Sequence, residues 1–262
     1  MPLKNLLDWL YPPTCIACRK LIPLNHKQPR DMRLCEMCQT LFEPIIPPTC
    51  NTCGIPTEKE VERCVSCYGK DFHFTTNRGT FLYDELMRDL LLELKFKQNK
   101  QIAHSLGKLW AMHIADANVS VKQTAVFAKQ KLALQAHAYE HSIFLVPLPM
   151  HLKKQRERGF NQAEILTQHL SSRLGIPIEH ALLRTVDTPP QSGLHPRQRI
   201  ENVSGVFEVA KGALPQGKNY IIIDDIYTTG ASLNECAKVL KKAGAAGVSC
   251  MTLSVVEKSE RK

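Results

Sequence analysis

Residues Tyr220 to Ser232 read YIIIDDIYTTGAS. Four apolar-leaning residues lead into two adjacent carboxylates, then into small hydroxyl residues around a glycine. An apolar strand that ends in such a loop and then enters a helix forms an anion cradle. The loop N–H groups and the helix N-terminus both point outward. Gly230 admits positive φ and a close backbone approach, and the hydroxyls of Thr228, Thr229 and Ser232 add donors. Asp224 and Asp225 cannot hold phosphate. They suit a vicinal diol, taken directly or through a hydrated metal. A phosphate cradle beside two carboxylates fits a ribose 5-phosphate. A plain strand-end turn, with Asp225 or Ser232 merely capping the helix, would not require the full DD-x-x-TTGAS.

A second chemistry lies at the other end of the chain. Eight of the ten cysteines fall before residue 70, in four CxxC pairs: Cys15/Cys18, Cys35/Cys38, Cys50/Cys53 and Cys64/Cys67. A CxxC turn presents two thiolates to one metal, and two such turns complete a tetrahedral zinc site of four thiolates. The simplest pairing is 15/18/35/38 with 50/53/64/67; an interleaved one stays open, as do one or two structural zinc ions. A disulfide framework suits a secreted chain, and no signal peptide is read in MPLKNLLDWLYPPTC. A redox CxxC needs a neighbouring βαβ pattern, and these surroundings are Pro-rich instead. Four protein ligands leave no open position, so the metal is structural and supplies folding energy to a small core.

The elements that must position these groups follow from the patterning. The chain has 262 residues, 44% hydrophobic and 23% charged, an ordinary globular balance. No apolar run approaches the roughly 20 residues of a membrane span, and a cytoplasmic location is expected. Arg78–Tyr83 alternates as a strand, Asp84 caps a helix carrying Leu86, Leu90 and Leu94, and a second helical register runs near Ile102–Ile114. Residues 116–142 are polar and carry no chemistry. Ser142–Pro147 is a strand, Ala163–Leu174 a helix stopped by Gly175, and the polar stretch from Asp187 to Gly205 a mobile loop. Val206–Ala210, Tyr220–Ile223 and Val248–Val256 are strands, with a helix over Ser232–Ala243. This alternation predicts an α/β fold with a parallel sheet, whose ligands sit at the carboxyl ends of the strands. The expected domains are a double zinc ribbon over 1–70 and the α/β unit over 71–262. His104, His113, His137 and His141 are expected at the surface, and Cys236 and Cys250 as core thiols.

The Asp224–Ser232 stretch closely resembles the phosphoribosyl pyrophosphate (PRPP) signature of the type I phosphoribosyltransferases. The resemblance implies a parallel sheet with helices on both faces. It implies that Asp224 and Asp225 hold the ribose hydroxyls. Thr228, Thr229, Gly230, Ala231 and Ser232 would hold the 5-phosphate, and Mg2+ would bridge pyrophosphate and ribose oxygens. The ribbons, then VPLP with a basic run and RGFNQ (Arg158–Gln162), then QSGL (Gln191–Leu194) and R-x-x-N (Arg199–Asn202), are together similar to the ComF family. Its members are linked to DNA uptake in natural transformation or to the use of DNA as a nutrient. In a transferase the loop carrying Lys153, Arg156 and Arg158 would face the pyrophosphate, where cations stabilise the leaving charge. A solvated basic loop is the alternative. Lys95 and Lys97 are weaker candidates, equally read as surface charges. Arg199 and Asn202 would belong to a lid that excludes water, or to a linker with a helix cap. No general base is evident.

Net charge is +9, with +2 in residues 1–70 and +7 in the remainder. This balance suits phosphorylated small molecules or polyanions. The rival reading is a DNA-import protein that binds single-stranded DNA through its basic face and ribbons, with DNA-uptake proteins as further partners and the PRPP site as a sensor or relic. Only 6% of residues are aromatic, and no stacking stripe is apparent.

Overall fold

The computed structural model describes residues 12–23, 32–115, 143–189 and 196–257. The polar segment 116–142 with His137 and His141, and the QSGL motif, lie outside them. Among the described residues thirteen elements follow in chain order: α1 (Glu36–Gln39), β1 (Asn77–Leu82), α2 (Glu85–Phe96), α3 (Lys100–Ala115), β2 (Ile143–Pro147), α4 (Leu152–Arg158), α5 (Gln162–Leu174), β3 (Leu182–Arg184), α6 (Pro196–Glu201), β4 (Phe207–Val209), β5 (Asn219–Tyr227), α7 (Ala231–Lys242) and β6 (Gly247–Val255). Four strands form a parallel sheet in the order β1-β6-β5-β2, and β3 and β4 pair as a separate antiparallel ribbon.

Local sequence explains the helix ends. The Asp84 carboxylate accepts from the Met87 N–H at 2.7 Å and starts α2. Met87, Leu90, Leu91 and Leu94 then fall on one buried face. Asn161 caps α5 by accepting from the Ala163 N–H at 3.0 Å, and Gly175 closes it at φ 69°. Strand β5 is covered on both faces, so its run Tyr220–Ile223 is buried without alternation. Ile221 and Ile223 enter one core with α2, α3 and α5. Tyr220 and Ile222 enter the other with α7.

The Cys-rich segment packs into both cores. Ile16, Ile22, Met32, Leu34 and Phe42 join the α2/α3/α5 side, with Phe42 edge-on to Phe81 at 5.9 Å. Cys50, Cys53, Cys67 and Phe74 join the α7 side. Backbone and polar bonds fasten the second half to β1. The Asn77 N–H donates to the Thr52 carbonyl at 2.8 Å, and buried Asn77 Nδ2 donates to the Cys53 carbonyl at 2.9 Å.

Several expectations change. Strand β5 does not end at Ile223. It continues through both carboxylates to Tyr227, because β6 keeps pairing: Asp224 opposes Thr252, Ile226 opposes Ser254 and Tyr227 opposes Val255. Strand β2 stops earlier, with Pro147 opposite Ile223, so the acids project past one neighbour while held by the other. The basic run after β2 is helix α4 rather than a loop, capped by His151 and closed by Gly159 at φ 79°. The polar stretch contains α6, which starts on Pro196, a residue suited to a first helical turn. His104 and His113 are half-buried rather than superficial. His113 packs edge-on to Phe81 and donates from Nδ1 to the Leu109 carbonyl at 2.9 Å. Cys236 and Cys250 are buried in the core, as expected.

His104 Nδ1 lies 3.2 Å from His169 Nε2 between α3 and α5. Burial, then His104 and Lys108, lower the His169 pKa from 6.5 to about 4. Between those values the unfolded chain takes up a proton that the folded chain refuses, so stability falls as pH falls through that window. The expected loss is up to about 1 kcal/mol per pH unit. Thermal melts from pH 7 to 4.5 should show this slope, and His169→Gln should flatten it; an unchanged slope would contradict the assignment.

Candidate functional site

The carboxyl end of β5 assembles the site. After Tyr227 the chain turns through Thr228 and Thr229 and enters α7. Gly230 is the residue before the helix, at φ 74°. A side chain there would also strike the Tyr227 ring, since a Cβ would lie 2.6 Å from its hydroxyl. Glycine is therefore required twice, by conformation and by contact. Gly230 offers no side chain to cap α7, and Thr229 Oγ1 accepts from the Ala231 N–H at 3.4 Å. The 12-residue helix thus begins without a side-chain cap from its N-cap residue.

Asp224 and Asp225 lie beside this turn. Asp225 is buried and Asp224 half-buried. Asp224 Oδ1 accepts from the Asp225 N–H at 2.8 Å. Ser254 donates to the Asp225 carbonyl at 3.2 Å. Adjacent carboxylates withdrawn from water cannot both ionise without compensation. The compensation is Lys95, whose Nζ stands 2.8 Å from Asp225 Oδ2. At that distance the ammonium is a direct counter-charge to the carboxylate. Burial pushes Asp225 up, but Lys95, then the hydrogen bond from Asp224 and last Arg158 more than offset it, and its pKa lies below the usual range. Asp224 is pushed well up, by burial first and by Asp225 next. The pair is asymmetric: Asp225 carries the charge and Asp224 holds a proton more readily.

The predicted cations separate. Arg158 is half-buried, donates to Gln162 Oε1 at 2.8 Å and senses Asp225. Lys153 instead turns to Asp187 at 3.5 Å, which Lys154 also approaches at 3.4 Å. Arg156 is exposed with no ion pair among the described residues. Arg199 is on α6, half-buried, and Asn202 Nδ2 donates to the Pro189 carbonyl at 3.1 Å. Of Lys95 and Lys97, the second is the surface charge, 72% exposed and 3.7 Å from Glu93. Spacing offers no means to tell the two apart, since only the fold turns Lys95 toward β5.

The cysteines form two tetrads in sequential order, Cys15/Cys18/Cys35/Cys38 and Cys50/Cys53/Cys64/Cys67, each with its sulfurs within 4.8 Å of one another. The interleaved pairing is thereby removed. None is in a disulfide. Backbone N–H groups point at sulfur, from Cys35 to Cys15 at 3.4 Å and from Cys64 to Cys50 at 3.2 Å. Despite its burial, N–H bonds led by that of Cys35 bring Cys15 down to about 7. Burial and the neighbouring thiols push Cys38 and Cys64 up, and the Cys67 thiol and burial push up Cys53. Four crowded sulfurs, partly turned to thiolate by backbone donors, fit a soft tetrahedral cation such as Zn2+. The second tetrad abuts the turn after β5: Cys53, Ser66, Cys67 and Lys70 line one cleft with Thr228 and Thr229. Elemental analysis should find two zinc ions per chain, with Cys15→Ser and Cys50→Ser each losing one; a single ion in the wild type would contradict two closed sites.

A double zinc ribbon domain matches residues 6–68, and a phosphoribosyl transferase domain matches residues 160–262. Competence protein F of Haemophilus influenzae is 27% identical over 233 residues, which cover 88% of this chain and 91% of that protein. Competence protein ComFC of Bacillus subtilis is 28% identical over 85% of this chain and 84% of its own. DNA utilization protein YhgH of Escherichia coli is 28% identical over 92% of this chain and 98% of its own. With a double zinc ribbon at its start, a phosphoribosyl transferase domain at its end, and these similarities running through most of its length, the chain is similar to the competence and DNA utilization proteins from end to end.

Proposed function

We propose that the site binds PRPP and that the chain is a phosphoribosyltransferase acting in the uptake or use of DNA. The observation that carries the reading is the joint geometry at the end of β5. A weakly capped helix N-terminus behind Gly230 stands beside two carboxylates held past the edge of β2. The 5-phosphate takes the N–H groups and hydroxyls from Thr228 to Ser232. Asp225, kept ionised, accepts from one ribose hydroxyl. Asp224 accepts from the other or, when protonated, donates to it. Arg158 is the cation best placed for the leaving pyrophosphate, with Lys153 and Arg156 on the same helix and Arg199 on α6 as further contributors. Asp224 and Asp225 would hold Mg2+ through its water shell, and the ion would neutralise charge on the pyrophosphate. Transfer then consists of attack on ribose C1 by a nitrogen nucleophile, with the C1–O bond to pyrophosphate breaking. This chain contributes positioning and fixed charge. The ribbon unit is assigned to residues 1–70 and the transferase unit to 71–262.

A second reading has specific support in the relatives' names, two competence proteins and a DNA utilization protein, and in the net charge of +9. The basic surface would bind single-stranded DNA, with PRPP as a signal. Calorimetric titration of PRPP with Mg2+ into the zinc-loaded protein separates the two. Wild type should bind, and Asp224→Asn/Asp225→Asn should lose at least roughly 100-fold, since each charge-assisted hydrogen bond is worth about 1.5–3 kcal/mol. Equal binding by the double variant would overturn the site assignment. DNA binding that falls steeply with salt and survives the double variant would favour the second reading.

A further inference from the structure

Arg19 occupies a backbone position that favours glycine. Its φ is 63°, in the left-handed region where a side chain is strained. It directly follows the first CxxC turn, and its N–H donates to the Cys15 carbonyl at 2.9 Å. The second ribbon repeats the turn with the residue that fits. Gly54 follows Cys53 at φ 77°, and its N–H donates to the Cys50 carbonyl at 2.9 Å. One turn therefore carries an arginine in spite of its backbone. An outlier of this kind directs attention to what the side chain does.

The Arg19 guanidinium is ion-paired to Glu93, whose side chain is only 13% exposed. Glu93 lies at the end of α2, two residues before Lys95. Residues two apart on a helix face different sides. Glu93 accordingly faces the first ribbon while Lys95 reaches Asp225 at 2.8 Å. Phe96 and Lys97 are exposed at this helix end, Gln98 at φ 54° donates from Nε2 to the Glu157 carbonyl at 2.9 Å, and Asn99 Nδ2 reaches Glu93 Oε1 at 3.5 Å, so Arg19 is the contact that ties this end to the first ribbon.

We propose that Lys95 is a positioning residue for Asp225, and that Arg19 of the first ribbon sets its place through Glu93 on the same helical turn. The inference rests on the PRPP reading above. Lys95 keeps Asp225 charged and aimed before the ribose arrives. Arg19 fixes the end of α2 and so the place of the ammonium. The first metal site holds the loop that carries Arg19, which ties ribbon integrity to the ribose end of the pocket.

The test is PRPP titration into the zinc-loaded full chain, with melting temperature and zinc content measured in parallel. Lys95→Met should weaken PRPP binding at least tenfold, while Lys95→Arg, which keeps the charge, should stay within about threefold of wild type. Arg19→Gly removes the backbone strain and the anchor together. Its melting temperature should hold or rise and its zinc content stay at the wild-type value, while PRPP binding falls severalfold. A purely structural role predicts that melting and binding fall together. Wild-type affinity in Lys95→Met overturns the positioning role, and wild-type affinity in Arg19→Gly overturns the link to the ribbon. A wild-type chain that does not bind PRPP overturns the PRPP reading itself and with it the role given to Lys95.

Discussion

Two carboxylates on consecutive residues of a covered strand lose hydration and repel each other, and this cost constrains the rest of the site. A cation must stand against them before any ligand does. Lys95 meets that need from 2.8 Å, and Arg158 adds charge from α4. Both come from helices whose placement depends on the parallel sheet. Its unequal strand lengths matter equally. Because β6 keeps pairing to Tyr227 while β2 stops opposite Ile223, the acids are rigid on one side and open on the other. A site of this type gains from fixed geometry, since the protein's contribution to phosphoryl or glycosyl displacement is mainly positioning and preset charge.

The cysteine tetrads extend the same logic. Their segment is distributed over both faces of the sheet, the first half against α2 and α3 and the second against α7. Each half also reaches one end of the pocket. The first does so through Arg19 and Glu93 to the helix that bears Lys95. The second does so by lining a cleft with Thr228 and Thr229. A closed site of four cysteine ligands has no coordination position for chemistry, which leaves a metal there a structural role.

Much of this was legible in the sequence because the features are local. The CxxC spacing, the Asp84 cap, Gly175 and the DD-x-x-TTGAS stretch all act within a few residues, and each has a direct counterpart in the fold. The parallel sheet followed from the alternation of apolar runs and helical registers. What escaped was non-local. Nothing near Ile223 announces that β5 runs on to Tyr227, since that depends on the length of β6. Lys95 and Lys97 are alike in composition and spacing, and only the helix's orientation gives one to Asp225 and the other to solvent. The basic run after Pro147 reads as a loop because it lacks apolar periodicity, but His151 and Gly159 suffice to bound a short helix. Arg19 carries no signal at all in the sequence, because its meaning lies in a backbone angle and a partner 74 residues away.

If the end of β5 holds a ribose 5-phosphate in one orientation, a crystal structure of the zinc-loaded protein with PRPP and Mg2+ will show it. The 5-phosphate should lie against the N–H groups between Thr228 and Ser232, the ribose hydroxyls within hydrogen-bond distance of Asp224 and Asp225, and Lys95 still at Asp225. PRPP bound elsewhere, or with its diol turned away from both acids, would contradict it.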